Sequence, residues 1–402
     1  MGYPGSTLKN ETYADLSHLA AVGMVSLFLH LGSNGLTAEI VEGQMKDLVD
    51  LLNELIHGWP LSLQIAMFVV GLAAGVFCLV KFCDIFVDSS SAIAKKLKVS
   101  PLIIGLTIVA MGTSLPELAV SVSDSISAIG KQATTEFAIG NVVGSNICNI
   151  LLVLGFSVVF TPIVVKKSIC RREIPILLAV TALTVLFVCL FGLNSPTGDL
   201  AITRWEGIVL AVLIIAYIAY LVIMAKRHPE ELDEAEDVKD MAWWKAILFV
   251  ILGAAGIILG GQFVVFGAKG IALNGATALG ADEGMTSSLV SLTIVAVGTS
   301  LPELVTSTIA AKKGQNELAL GNVIGSNIFN SLFVLGISAT VNPLTTGNQV
   351  LVDVFVMMGV TALLFVFSLS GKLRKAHGWV LLGCYLLYLV YLILRTLLGW
   401  SF

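Results

Sequence analysis

Charge is what this sequence has least of. Asp, Glu, Lys and Arg make up 12% of its 402 residues, against 56% hydrophobic residues, whereas soluble domains carry about 25% charged residues. Such a chain cannot cover itself with polar surface, so a soluble globular protein is excluded and lipid is the expected solvent. A mean hydropathy of +0.93 agrees. The net charge of −4 leaves no basic surplus for nucleic acid. Histidine is scarce too, at five residues, and neither an HExxH motif nor a Ser/His/Asp set lies within the apolar segments. An intramembrane hydrolase is therefore not expected, and the chain reads as a non-enzyme without a resident cofactor. The six cysteines show neither zinc-knuckle spacing nor a disulfide framework; five of them, all but Cys170, sit in apolar runs as small fillers. Proline and glycine are not scarce, at 10 and 38, and membrane helices tolerate both.

A bilayer-spanning helix needs about 20 mostly apolar residues. Ten segments qualify: 61–87, 101–129, 134–160, 173–192, 204–225, 242–268, 285–311, 316–341, 350–370 and 377–399. The expected fold class is an all-α integral membrane protein of ten transmembrane helices. Residues 1–60 form an N-terminal extension. Its stretch 18–31 is apolar but short, without a clear basic flank or cleavage site of a signal peptide, and an eleventh span is the alternative to an interfacial segment there. Leu48, Leu51, Leu52 and Leu55 share one helical face opposite Asp47, Asp50 and Glu54, which predicts an interfacial helix.

Basic residues set the orientation. Loops after spans one, three, five, seven and nine, with their edges, carry 16 Lys and Arg, against Lys131, Arg204 and Lys269 on the other side. The basic side is expected to be cytoplasmic in a cell-membrane protein, with residue 61 and the C-terminus extracellular. The charged loop 226–241 then divides a first half, 61–225, from a second, 242–402.

The halves repeat each other. Residues 106–118 read LTIVAMGTSLPEL and 292–304 read LTIVAVGTSLPEL, identical at 12 of 13 positions. Residues 136–155 and 317–336 agree at 14 of 20, around GNVVGSN and GNVIGSN. Equivalent segments lie five spans apart, an odd number, so the copies run in opposite directions through the membrane. Inverted five-helix repeats are a common plan of secondary transporters, with substrate held near the midplane between the repeats.

Pro116 and Pro302 fall within spans two and seven. Each lacks an N–H and crowds the carbonyl four residues back, so a broken helix is expected at the midplane. The carbonyls of Ala110, Thr113, Ala296 and Thr299 are candidates to lose their helical partners and serve as cation ligands. Glu117 and Glu303 follow the prolines directly, and a carboxylate at that depth is a functional hypothesis by default. Ser114 and Ser300 precede the prolines; Ser145 and Asn149, and Ser326 and Asn330, lie one helical turn apart on spans three and eight. The glycines at 140, 144, 321 and 325 fit small-residue helix packing. The set is all oxygen, which suits alkali and alkaline-earth ions rather than zinc or copper. Cys148 is not expected to be a ligand, since its repeat equivalent is Phe329.

GTSLPE at 112–117 and 298–303, with the two GNVxGSN motifs, resembles the paired alpha repeats of the cation/calcium exchanger superfamily, which includes the sodium/calcium exchangers. The resemblance covers about residues 61–400. It implies alternating-access antiport of Ca²⁺ against Na⁺, commonly three Na⁺ per Ca²⁺ and so electrogenic. It also implies that Glu117, Glu303, Thr113 and Thr299 hold Ca²⁺, with the Ser and Asn residues of the second motifs completing the Na⁺ positions. Asn330 stands where potassium-dependent members carry Asp, so exchange is expected to be K⁺-independent. The loop 226–240 is too short for the large regulatory domains of animal members. The expected partners are Ca²⁺, Na⁺ and the bilayer, with no obligate protein. Proton coupling on the same fold is the main alternative, with the two glutamates carrying protons; an uncoupled cation channel is the remote one.

Overall fold

Apolar runs set the helix count, and the polar residues at their ends set where helices stop. The computed structural model describes residues 48–129, 136–192, 200–227, 241–278, 296–346 and 349–398. Contacts divide the chain into two units, 1–51 and 52–402. Of the first, the described part is the start of α1 (Leu48–Ile56), with Leu51 exposed; the stretch 18–31 lies outside the described residues.

The second unit runs α2 (Leu61–Leu97), α3 (Pro101–Thr113), α4 (Leu115–Ser127), α5 (136–160), β1 (Ile163–Val164), α6 (169–192), β2 (Leu200–Ile202) and α7 (Arg204–Arg227). The second half continues with α8 (Trp243–Ala278), α9 (Ala296–Thr299), α10 (Leu301–Lys312), α11 (Asn316–Val341), β3 (Leu344–Thr346), α12 (Gln349–Ser368), β4 (Lys372–Leu373) and α13 (Lys375–Leu398). Among the described residues, eight helices are long and apolar enough to cross a bilayer, and the bent pair α3–α4 makes a ninth. Helices α9 and α10 are the described part of the predicted span 285–311. The architecture is a membrane-spanning helical bundle, as expected, with four short strands added.

Helices α5 and α11 form the buried centre, whereas α2, α7, α8, α12 and α13 expose large side chains such as Phe77, Ile215, Ile251, Phe355 and Leu387. An apolar surface of this kind faces lipid rather than water.

Two helices outrun their predicted ends. At 37 and 36 residues, α2 and α8 measure about 55 Å each at 1.5 Å per residue, far beyond an apolar thickness of about 30 Å. The polar tail of α2 stays helical because it finds partners. Lys313 pairs with Asp84 at 2.6 Å and also with Asp88, and Ser91 Oγ donates to Gln315 Oε1 at 2.8 Å. Lys98 then ends the helix in a left-handed conformation, φ 54°. The two long helices touch through glycine. A Cβ on Gly75 would lie 2.6 Å from Val264 N, and one on Gly260 would lie 2.9 Å from Leu79 N.

The strands, unforeseen in the hydropathy pattern, record the inversion. By repeat spacing β1 corresponds to β3, and β2 to β4. Yet β1 pairs antiparallel with β4, Ile163 opposite Leu373, and β2 with β3, Leu200 opposite Thr346. Helix α6 crosses between β1 and β2, so the two equivalent sheets lie at opposite ends of the bundle. The basic loops share one end: Lys166 pairs with Glu317, Lys313 with Asp84, and Val165 N donates to Gly371 O.

The duplication also reaches residues outside the repeated motifs. Tyr217 OH donates to Glu173 Oε2 at 3.3 Å between α7 and α6, and Tyr388 OH to Asp353 Oδ1 at 3.1 Å between α13 and α12. In the second half Arg395 adds an ion pair to Asp353 at 2.9 Å. Carboxylates this buried need partners of this kind.

Candidate cation site

Helix α3 ends at Thr113 and α4 begins at Leu115, bent 49° from it. The hinge residue Ser114 has φ −88°, ψ 9°, and its equivalent Ser300, between α9 and α10, has φ −88°, ψ 1°. Both breaks follow from the proline two residues on, which cannot donate to the carbonyl of Gly112 or Gly298. Glu117 and Glu303 therefore sit in the first turn of α4 and α10. A helix N-terminus carries partial positive charge, which favours a carboxylate.

The expectation for Ala110 needs correction. Its carbonyl keeps its helical partner, Ser114 N at 3.0 Å, and Thr113 Oγ1 lies 3.3 Å from it. The helix breaks after Ser114 N has closed the last turn of α3, so the donor actually missing is that of Pro116. Ala296 begins the described part of its span, and its side chain lies outside the described residues.

Both glutamates are fully buried. Glu117 Oε1 accepts from Ser145 Oγ at 3.4 Å, and Thr299 also reaches this carboxylate. Glu303 Oε1 accepts from Ser114 Oγ at 3.0 Å, with Thr113 and Ser326 nearby. The repeats thus interleave, since a serine of the first holds the carboxylate of the second. The other carboxylate oxygens, Glu117 Oε2 and Glu303 Oε2, are buried without a partner, as are Ser300 Oγ, Asn149 Oδ1 and Asn330 Oδ1. Buried polar oxygens left this way are the exception in folded proteins, and here four of the five form two repeat-related pairs, Glu117 with Glu303 and Asn149 with Asn330. Among the described residues, no third His, Cys, Asp or Glu joins the two glutamates into a larger cluster. Two carboxylates with several neutral oxygens balance one divalent ion or most of the charge of a few monovalent ones.

The structure brings together Thr113, Ser114, Glu117, Ser145, Thr299, Glu303 and Ser326 around the carboxylates, with Asn149 and Asn330 buried on the adjoining helices. Asn149 and Asn330 each open a π-helical turn, Asn149–Leu154 and Asn330–Val334. Such single turns re-aim side chains and recur at functional sites.

Sequence reasoning missed a shell of asparagines. Asn141 Nδ2 donates to Ser121 Oγ at 3.0 Å, and Asn322 Nδ2 to Ser307 Oγ at 2.9 Å. Asn322 Oδ1 lies 3.2 Å from Thr113 Oγ1. Between α5 and α11, Asn146 Nδ2 donates to Asn327 O at 3.4 Å and Asn327 Nδ2 to Asn146 O at 3.3 Å. The signal was present, because all four asparagines are identical between the repeats in GNVxGSN and lie at or next to the helical face of Ser145 and Ser326. Asp124 also has a plain role: its Oδ2 accepts from Ala138 N at 3.3 Å, near the start of α5.

The family model described as sodium/calcium exchanger protein matches residues 67–226 and 245–394. CaxA of Alkalimonas amylolytica is 39% identical over 320 residues, 78% of this chain and 93% of that protein. The sodium/calcium exchanger MaX1 of Methanosarcina acetivorans is 32% identical over 354 residues, 80% of this chain and 97% of its own length. A solved structure of the sodium-calcium exchanger NCX_Mj superposes with a TM-score of 0.65 at 31% identity, over 81% of this chain and 98% of the other. With both alpha repeats inside the matched residues and their breaks, carboxylates and inverted strands in place, the chain belongs to the sodium/calcium exchanger family.

Proposed function

We propose that this protein exchanges Na⁺ for Ca²⁺ by alternating access, without a need for K⁺, and that Glu117 and Glu303 hold the divalent ion between them. The observation that carries this reading is the symmetric pair of buried glutamates, each with one oxygen engaged by a serine and the other unpartnered. The neutral oxygens of Thr113, Ser114, Ser145, Asn149, Thr299, Ser300, Ser326 and Asn330, with backbone carbonyls at the two helix breaks, provide the remaining ligands. Protons would need only the carboxylates; so many neutral oxygens fit several monovalent cations. Na⁺ and Ca²⁺ are close in size, so one cavity holds either load with little rearrangement. Exchange of three Na⁺ for one Ca²⁺ moves one net charge and responds to voltage.

The test is Ca²⁺ uptake into proteoliposomes under separately imposed gradients. An outward Na⁺ gradient drives uptake, equally well in K⁺-free buffer, and a pH gradient alone does not. Uptake driven by a pH gradient in the absence of Na⁺, or a strict K⁺ requirement, overturns the reading.

The shared end of the basic loops supports a cytoplasmic orientation for the turn after α10 and for the α2 tail under the positive-inside rule. A cysteine placed at Gly314 reacts with an impermeant thiol reagent in inside-out vesicles and not in intact cells. Labelling in intact cells reverses the topology.

A further inference from the structure

A cation ligand made from asparagine has a hazard that a carboxylate does not. Its amide presents oxygen from one end and two N–H donors from the other, and rotation by half a turn sets a donor against the cation. Something must decide which end faces inward.

The hydrogen bonds between α5 and α11 make that decision across the repeat boundary. Asn149 Nδ2 donates to Asn327 Oδ1 at 3.1 Å, and Asn330 Nδ2 donates to Asn146 Oδ1 at 3.3 Å. Asn146 and Asn327 are in turn pinned by their own amide nitrogens. Asn146 Nδ2 reaches Asn327 O at 3.4 Å and Ser331 Oγ at 2.9 Å, and Asn327 Nδ2 reaches Asn146 O at 3.3 Å. With each Nδ2 committed to a backbone carbonyl, the Oδ1 of Asn146 and Asn327 is the atom left to face the next amide, and an oxygen accepts but does not donate. Turning Asn149 or Asn330 over would oppose two carbonyl oxygens inside a buried contact, where an unmatched polar pair is costly. The amides of Asn149 and Asn330 are therefore held with Oδ1 away from this contact, and both of those oxygens are buried without a partner.

We infer that Asn146 and Asn327 are positioning residues that act on the opposite repeat: Asn146 fixes the carbonyl of Asn330, and Asn327 fixes that of Asn149, toward the transported cation. This deepens the exchange reading and rests on it. It assigns work to two residues outside the ligand set and specifies a crossed pattern of coupling. Asn146 lies in the same helix as Asn149, three residues away, but acts on the residue 184 positions along the chain.

The crossing makes the test sharp. Purified protein is titrated with Ca²⁺ and, separately, with Na⁺, following the cation-induced rise in melting temperature; exchange is measured in proteoliposomes to separate KM from kcat. Asn330→Ala tests the ligand role, and Asn146→Ala tests the positioning role. Removal of a residue that orients a metal ligand weakens metal affinity by about 10–100-fold, so Asn146→Ala raises the half-saturating cation concentration by about tenfold or more.

Adding Asn146→Ala to Asn330→Ala then produces no further loss, because the amide it oriented is gone. Adding it to Asn149→Ala still weakens binding further, because the amide of Asn149 is held by Asn327 and the amide that Asn146 orients, that of Asn330, remains. The mirror cycle pairs Asn327 with Asn149. Where Asn146→Ala does not fold, Asn146→Ser, too short to reach Asn330, carries the same cycle. The inference is overturned if Asn146→Ala leaves cation affinity unchanged, if its effect multiplies with Asn330→Ala, or if it vanishes in the Asn149→Ala background instead. If Asn330→Ala and Asn149→Ala leave cation binding untouched, the ligand assignment itself falls. A weakened Asn330→Ala with a multiplicative cycle removes the inference alone.

Discussion

Glu117→Gln and Glu303→Gln each abolish Ca²⁺ transport while leaving a folded protein. Both side chains are fully buried, and among the described residues no third His, Cys, Asp or Glu joins them in a cluster. Two unit charges about 4 Å apart interact by about 4 kcal/mol at an effective dielectric of about 20, and a divalent ion in direct contact feels more. Losing one carboxylate therefore weakens the Ca²⁺ complex by about a thousandfold or more, at about 1.4 kcal/mol per tenfold. The fold does not depend on that charge. Gln keeps the oxygen that accepts from Ser145 or Ser114, and removing an uncompensated buried charge relieves a desolvation cost. The cation-free variants melt at or above the wild-type temperature. Wild-type Ca²⁺ flux in either variant removes these residues from the site.

The second large effect is on folding. Gly325→Val leaves no folded protein recoverable by size-exclusion chromatography. A Cβ at Gly325 would lie 2.7 Å from Ala110 Cβ, 2.8 Å from Leu106 Cα and 2.9 Å from Leu106 O. Those are backbone atoms and a methyl, with no flexible side-chain end to swing aside. One level away Gly321 meets Leu102 O at 2.8 Å and Gly105 Cα at 3.2 Å. Helix α11 thus lies backbone to backbone on the first half of the broken span. Gly325→Ala, with one added carbon, costs about 1–3 kcal/mol as overpacking. Gly359→Ala on the exposed face of α12, with open space around it, is the control and melts as wild type. A Gly325→Val protein with a wild-type melting curve overturns this packing argument.

Much of this was legible in the chain. Hydropathy locates spans because lipid leaves few options for a backbone with unmet hydrogen bonds. The duplication of GTSLPE and GNVxGSN identified both helix breaks and the two carboxylates, and odd spacing implied the inversion. The misses have physical causes. Periodicity cannot register a π turn, so the turns at Asn149 and Asn330 were invisible. The end of α2 was underestimated because hydropathy stops where charge begins, whereas Asp88 and Ser91 remain helical by pairing across to Lys313 and Gln315. Asn141, Asn146, Asn322 and Asn327 were passed over because they touch other side chains rather than a cation, and such contacts belong to the folded state alone. The glycine reading held for Gly321 and Gly325; for Gly140 and Gly144 nothing lies within 4 Å among the described residues.

The paired strands bear on which motions this scaffold permits. Each two-stranded sheet takes one strand from either half, β1 with β4 at the basic end and β2 with β3 at the other. The halves are thus stitched together at both rims, as a drum is laced top and bottom. Rocking one half against the other, as a pair of hinged jaws would, has to unzip at least one lacing in every cycle and expose its backbone groups. Motion that leaves both intact is confined to parts outside the lacing, and α2 and α8 are the long helices free of it. They lie against each other through bare backbone at Gly75 and Gly260, with Phe68, Phe82, Phe86 and Phe266 lodged against glycines of the facing helix.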